Sequence, residues 1–217
     1  TPDHVEVRNA YSSLLSAVND CNIVIENGNA TEVVEAKFLR AFNYYHLIDL
    51  FGQVPYRTIG EPSSATPKVY SRAQATAFVI SELEGILNSL PARVAGSPDR
   101  ANQDAAKFLL AKLYLNKAVF TAEPGTSTYN HTAADMTKVV QYVDGISSTL
   151  ATDYWDNFSP TNNTSNELLF VSKNELGNGG DIRSRWHMGA HYRQTPSGWN
   201  GFTTLGEYYD RFNPNDK

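Results

Sequence analysis

The sequence predicts a mainly α-helical chain with a loop-built C-terminal region, and three observations carry that prediction. Five segments between residues 5 and 150 repeat apolar side chains at steps of three and four, the spacing that lays one stripe along a helix. Residues that form caps stand at the heads of several of these segments, and Gly, Asn or Pro closes them. After residue 150 the period gives way to clusters of Asn, Ser, Thr and Gly. The expected organisation is a helical region over 1–150 and a loop-rich, aromatic region over 151–217 of the same domain.

Val7, Tyr11, Leu14, Val18, Cys21 and Ile25 line the first helix, expected over Val5 to Glu26. Asn27, Gly28 and Asn29 break it, and Asn29 with Glu32 offers a cap for the second, whose stripe is Val34, Phe38, Ala41, Phe42, Tyr45 and Ile48. Gly52 to Pro55 ends that helix, and a loop rich in Pro, Ser and Thr is expected from Arg57 to Tyr70. Ser71 and Gln74 form a capping-box pair ahead of a third helix lined by Ala75, Val79, Leu83, Ile86 and Leu90. The fourth, from about Asn102 to Phe120, carries Ala106, Leu109, Leu110, Leu113 and Tyr114. A fifth starts at Thr132 and Asp135 and is lined by Met136, Val139, Val140, Val143 and Ile146. Successive antiparallel helices of this kind form either a bundle or a tetratricopeptide-like stack, and the irregular spacing of helix starts leaves both open. Leu168 to Val171 is the one short apolar run in the region that follows, a strand or a buried extended segment.

Composition narrows the function. The 217 residues are 41% hydrophobic and 19% charged, and no apolar run approaches the ~20 residues that a membrane helix needs. A formal charge of -5, with Lys and Arg scattered singly, argues against nucleic acid as a partner. The one cysteine, Cys21, excludes an internal disulfide and lies on an apolar helical face, where a buried core residue is expected. Aromatic residues are plentiful: 12 Tyr, 10 Phe and 3 Trp. Some of these rings are expected in loops.

Four blocks of sequence share one resemblance. FLRAFNYYHLIDLFGQVPY at Phe38 to Tyr56, AAKFLLAKLYLNKA at Ala105 to Ala118, DYWDNFSPTNNTSNELLFVSK at Asp153 to Lys173 and PSGWNGFTTLGEYYDRF at Pro196 to Phe212 follow one another in the order of the SusD/RagB family, which the chain resembles. The likeness implies a tetratricopeptide-like stack of helical hairpins with a loop-rich C-terminal excursion. It also implies a lipoprotein on the extracellular face of the outer membrane of Bacteroidota, a lid on a TonB-dependent, SusC-like transporter to which it delivers oligosaccharide or, in some members, peptide. Family members are longer and carry an N-terminal lipidated cysteine, so the chain is expected to be a trimmed portion, with the anchor outside it.

The expected function is binding of a glycan without catalysis, with a peptide- or protein-binding helical-repeat module as the alternative. Sugar rings present C–H faces that stack on Trp or Tyr, bordered by hydroxyls that need polar partners. The segment Arg183 to Phe202 offers both, and the expected ligand-binding residues are Trp186, His187, His191, Tyr192, Trp199 and Asn200. No cofactor is expected. His187 and His191 are four apart, yet Gly189 lies between them and no acid stands at a metal-site spacing, so no metal site is expected either. His46 and Asp49, three apart on the second helix, are expected to make a structural polar contact, since no nucleophile or phosphate-binding loop accompanies them.

Overall fold

The computed structural model describes residues 4–62, 64–159, 161–172, 189, 191–193, 198–199, 201 and 205–214. The chain divides into two compact units, Thr1–Val171 and Ser172–Lys217.

The first unit is built on five helices: α1 (Val5–Asn27), α2 (Ala30–Phe51), α3 (Arg72–Ile86), α4 (Gln103–Phe120) and α5 (Ala133–Asp144). Their starts are fixed by the side chains the sequence places there. Asn29 accepts hydrogen bonds from Thr31 N and Glu32 N while Glu32 reaches back to Asn29 N, and Ser71 and Gln74 form the same reciprocal box on α3. Asn102 and Thr132 cap α4 and α5. Only two residues separate α1 from α2. At the first of them, Gly28, an added Cβ would lie 2.6 Å from Val24 O, so the tight connection requires glycine.

Each helix runs antiparallel to the next. Tyr11, early in α1, meets Phe51 at the end of α2 with ring centroids 4.9 Å apart. Arg40 and Tyr44 of α2 meet Glu82 and Phe78 of α3. Gln103 at the head of α4 donates to Leu90 O just beyond α3 (2.9 Å), and Lys117 late in α4 pairs with Asp135 early in α5 (2.6 Å). The central helix, α2, is covered on most sides: Phe38, Ala41, Tyr44, Leu47 and Ile48 are at most 2% exposed. This sequential stacking, with α2 also touching α4, is the tetratricopeptide-like arrangement.

Three expectations are corrected. The segment after α2 is not wholly loop: β1 (Val54–Tyr56) pairs antiparallel with β2 (Lys68–Tyr70), Val54 opposite Tyr70. Aromatic packing fixes that register. Tyr56 and Tyr70 stack at 4.4 Å, both against Phe78, and the Tyr44 hydroxyl donates to Pro55 O (3.1 Å). On α5, Val140 and Val143 point outward, 58% and 47% exposed, and the buried residue is Tyr142. Its hydroxyl donates to Glu84 (2.7 Å) beside that of Tyr114 (2.9 Å), and these bonds turn the tyrosine face inward. Val7 of α1 is likewise exposed, ahead of the point where the core begins.

Leu168 to Val171 is extended and half-buried without being a strand. Two side chains and one backbone bond hold it where a sheet partner otherwise would: Arg93 Nε donates to Leu168 O (3.1 Å), Asn102 Nδ2 donates to Leu169 O (2.9 Å), and Val171 N itself donates to Pro98 O (2.9 Å). Phe170 then packs edge-on against Phe38 and Phe42. The stretch from 168 to 171 is thereby fastened across the helices.

Candidate ligand-binding surface

Of the six residues expected to bind ligand, Trp186, His187 and Asn200 lie outside the described residues. His191, Tyr192 and Trp199 belong to the second unit and are exposed, Trp199 by 63%. Gly198 N donates to His191 O (3.1 Å), which holds the backbone next to Trp199 close to the His191 turn. Within that turn Arg193 N donates to His191 Nδ1 (3.1 Å), the His191 and Tyr192 rings lie 4.4 Å apart, and the Arg193 guanidinium sits 5.2 Å from the Tyr192 centroid. Tyr192 therefore spends much of its stacking capacity on its neighbours. Trp199 is the ring that offers the larger open surface here.

A second aromatic surface, which the sequence reading passed over, lies in the first unit. The 3-10 turn Tyr154–Phe158 displays Tyr154, Trp155 and Phe158, exposed by 62%, 58% and 64%. Their rings pack tilted and edge to face, 5.1 to 6.1 Å apart. Each therefore stiffens the other two while leaving face area open. Asp153 caps the turn by accepting from Trp155 N (3.0 Å). Asp156 of this turn and Ser159, which follows it, line a hollow of about 420 Å³, whose wall continues through Thr149, Thr152, Thr161 and Asn166.

The hollow is built before any ligand arrives. The buried Ser165 hydroxyl donates to Asn157 Oδ1 and accepts from Glu167 N (3.2 Å); Asn162 Nδ2 donates to Asn157 O (2.9 Å); Ala151 N donates to Glu167 Oε1 (2.7 Å). That backbone bond, with help from Asn157, holds the Glu167 carboxyl below its usual value. The signal was present in the sequence: three rings within five residues, flanked by Asp, Ser, Thr and Asn.

Other titratable groups are structural. Arg40 is 5% exposed and reaches Glu82 with two donors and Asn22 with a third (2.7 Å). Burial pushes the Glu82 carboxyl up despite that partner. Burial likewise lifts the Cys21 thiol to about 11, consistent with an inert core cysteine. His46 does not pair with Asp49 as expected. It lies edge-on to Phe42 and Tyr45, and burial together with nearby Lys112 lowers its pKa, while Asp49 stays exposed. These rings line a mostly apolar groove of about 490 Å³ between α2, α4 and the extended segment. Among the described residues no group of three or more His, Cys, Asp or Glu could hold a metal, and no helix is long and apolar enough to cross a membrane.

Antiparallel helices stacked pair on pair, with aromatic and polar loops following them, define a tetratricopeptide-like helical protein. No family model matches the chain. It is 27% identical over 135 residues to the starch-binding protein SusD of Bacteroides thetaiotaomicron, covering 62% of this chain and 23% of that protein. It is 23% identical over 201 residues to a SusD-like protein of Formosa agariphila, covering 85% and 34%. Among solved structures, surface glycan-binding protein A of Bacteroides uniformis superposes with a TM-score of 0.66 at 20% identity, over 96% of this chain and 47% of that one. A crystal structure with xylogluco-oligosaccharide superposes with 0.64 at 23% identity, over 78% and 36%. The chain is similar in sequence to SusD and to a SusD-like protein, and it shares its fold with surface glycan-binding protein A and with the xylogluco-oligosaccharide complex. It spans about a quarter to a third of the length of the two curated relatives it matches.

Proposed function

We propose that this chain binds glycan without transforming it, as part of a cell-surface capture protein of the outer membrane. The observation that carries this reading is the exposed aromatic turn at Tyr154, Trp155 and Phe158 beside a hollow walled by hydroxyl, amide and carboxylate groups. Rings meet the C–H faces of a sugar and the polar wall meets its hydroxyls. Trp199, with His191 and Tyr192, and with Trp186, His187 and Asn200, is a second surface proposed for the same ligand. The names of the similar proteins, a starch-binding protein and a surface glycan-binding protein, agree with this chemistry.

Delivery to a SusC-like, TonB-dependent transporter, through a lipoprotein anchored outside this chain, belongs to the same proposal and rests on the family resemblance. Weak binding suits handover. A micromolar to millimolar dissociation constant is about 4 to 8 kcal/mol, within reach of a few stacked rings and hydrogen bonds.

Affinity electrophoresis against plant, host and microbial polysaccharides tests the reading, with Trp155→Ala and Trp199→Ala run alongside. Retardation by at least one glycan, weakened in Trp155→Ala with folding intact, is the expected result. If no glycan retards the chain, the reading fails. The apolar groove between α2 and α4 favours the alternative of a peptide ligand, and an amphipathic peptide panel would then be the next probe.

A further inference from the structure

We infer that the hollow beside the aromatic turn selects uncharged saccharides over uronate- or sulfate-bearing ones, and that Asp156 sets this selectivity. The inference rests on the glycan reading above and sharpens it to a substrate class.

The charge pattern around the hollow is one-sided. Between Gly145 and Ser172 the sequence has no Lys, Arg or His and has three acids, Asp153, Asp156 and Glu167, a formal charge of -3. Asp153 is occupied in capping the turn and Glu167 in accepting from Ala151 N, so both point their charge into local structure. Asp156 is different: it is exposed and lines the hollow itself. Among the described residues, the cations fastened to this stretch are Arg93, which gives Nε to Leu168 O and Nη2 to Ser165 O, and Lys107, which gives Nζ to Gly145 O; neither is part of the wall.

Anion-binding sites supply Arg or Lys forks, or several converging N–H groups. Here the wall offers hydroxyls, an amide and a carboxylate. An ionised carboxylate is acceptor-only and can take hydrogen bonds from two neighbouring hydroxyls at once. A neutral sugar supplies those donors on adjacent carbons, and bonds to a charged acceptor are about twice as strong as neutral ones. A uronate or sulfate ester would bring its own negative charge against Asp156 with no cation among the described residues of the wall to offset it. The volume, about 420 Å³, is of the size that holds a small ligand.

The test compares neutral polymers (xyloglucan, starch, galactomannan) with the carboxymethylated derivative of each, by affinity electrophoresis of this 217-residue chain and by Trp fluorescence titration. A neutral polymer is expected to bind, and its carboxymethylated form to bind at least about tenfold more weakly at low salt. Raising salt to about 1 M shortens the screening length to about 3 Å and should narrow that gap. Asp156→Asn, which keeps one acceptor oxygen and removes the charge, should weaken neutral binding about fivefold and bring the two forms close together. Equal or tighter binding of the carboxymethylated form, or a gap unchanged in Asp156→Asn, overturns the selectivity while leaving glycan binding standing. Absence of binding to every polymer overturns both. Trp155→Ala, which removes a ring and no charge, should lower affinity for the neutral polymer and leave the salt dependence of the gap unchanged.

Discussion

Phe38 of α2 and Trp155 of the 3-10 turn are rings set in two kinds of surroundings, one 1% exposed and the other 58%. Around Phe38 the helical period supplies apolar neighbours from α2 and α4 and Phe170 from the extended segment, so the ring is spent on packing. Around Trp155 the neighbours are two other exposed rings and a run of Ser, Thr and Asn, which have too little apolar surface to cover it. A helix face repeated every turn buries its rings; a capped turn that rises out of polar loop keeps them available. The difference separates the part of the unit that carries stability from the part proposed to carry binding.

The comparison breaks most sharply at the buried ion pair. Arg40→Ala leaves Glu82 buried without its guanidinium, and a loss of about 3 to 5 kcal/mol is expected in denaturant unfolding. Phe38→Ala should cost about 3 to 4 kcal/mol by opening a cavity against Phe42 and Phe170. Trp155→Ala, by contrast, should leave the unfolding free energy within about 0.5 kcal/mol of the parent. A fall comparable to that of Phe38→Ala would mean that the turn is core and not a surface.

A pH series sharpens the same contrast within the helices. Burial alone would raise the Asp104 carboxyl, but hydrogen bonds from the Ser147 hydroxyl (2.6 Å) and Ser147 N (3.1 Å), with Lys107 nearby, hold it below the usual value. Burial is likewise outweighed at Glu84 by the Tyr142 and Tyr114 hydroxyls and by Lys138. Both folded values lie below the unfolded ones, so the stability they contribute is present above the unfolded pKa. It is lost as pH falls through the folded values. Melting temperature should drop between about pH 5 and pH 3, and Asp104→Asn, about 2 kcal/mol less stable at neutral pH, should show a shallower drop. The smallest effect is expected on the outer face of α5, where Val140→Ser should change stability by no more than about 0.5 kcal/mol.

Helix positions were legible because caps and period are local. The boxes at Asn29 and Ser71, and Cys21 in the core, stand where the sequence puts them. The face of α5 was not legible, because Val140 and Val143 satisfy the helical period as well as Tyr142 does. Two hydroxyl bonds to Glu84 on another helix decided between them. The pairing of β1 with β2 was hidden for a similar reason: three-residue strands carry too little pattern, and their register depends on Tyr56, Tyr70 and Phe78 meeting in space. For binding, the density of aromatic residues among polar ones points to loops after residue 150, most of all to 183–202, and does not single out 154–158. Composition does not report which rings lack cover.

By itself the sequence determined the helical class, the order and starts of the five helices and the family likeness; α3 stops at Ile86 and α5 at Asp144, short of the expected Leu90 and Ile146. Class, order, starts and likeness follow from spacing and from residue chemistry along the chain. Only the tertiary structure decided which face of α5 is buried, how Leu168 to Val171 is held without a sheet, and that Asp156 and Ser159 share one hollow beside an aromatic turn. The first two depend on distances between groups far apart in sequence, and the third on how the loop of residues 149–166 folds round one space.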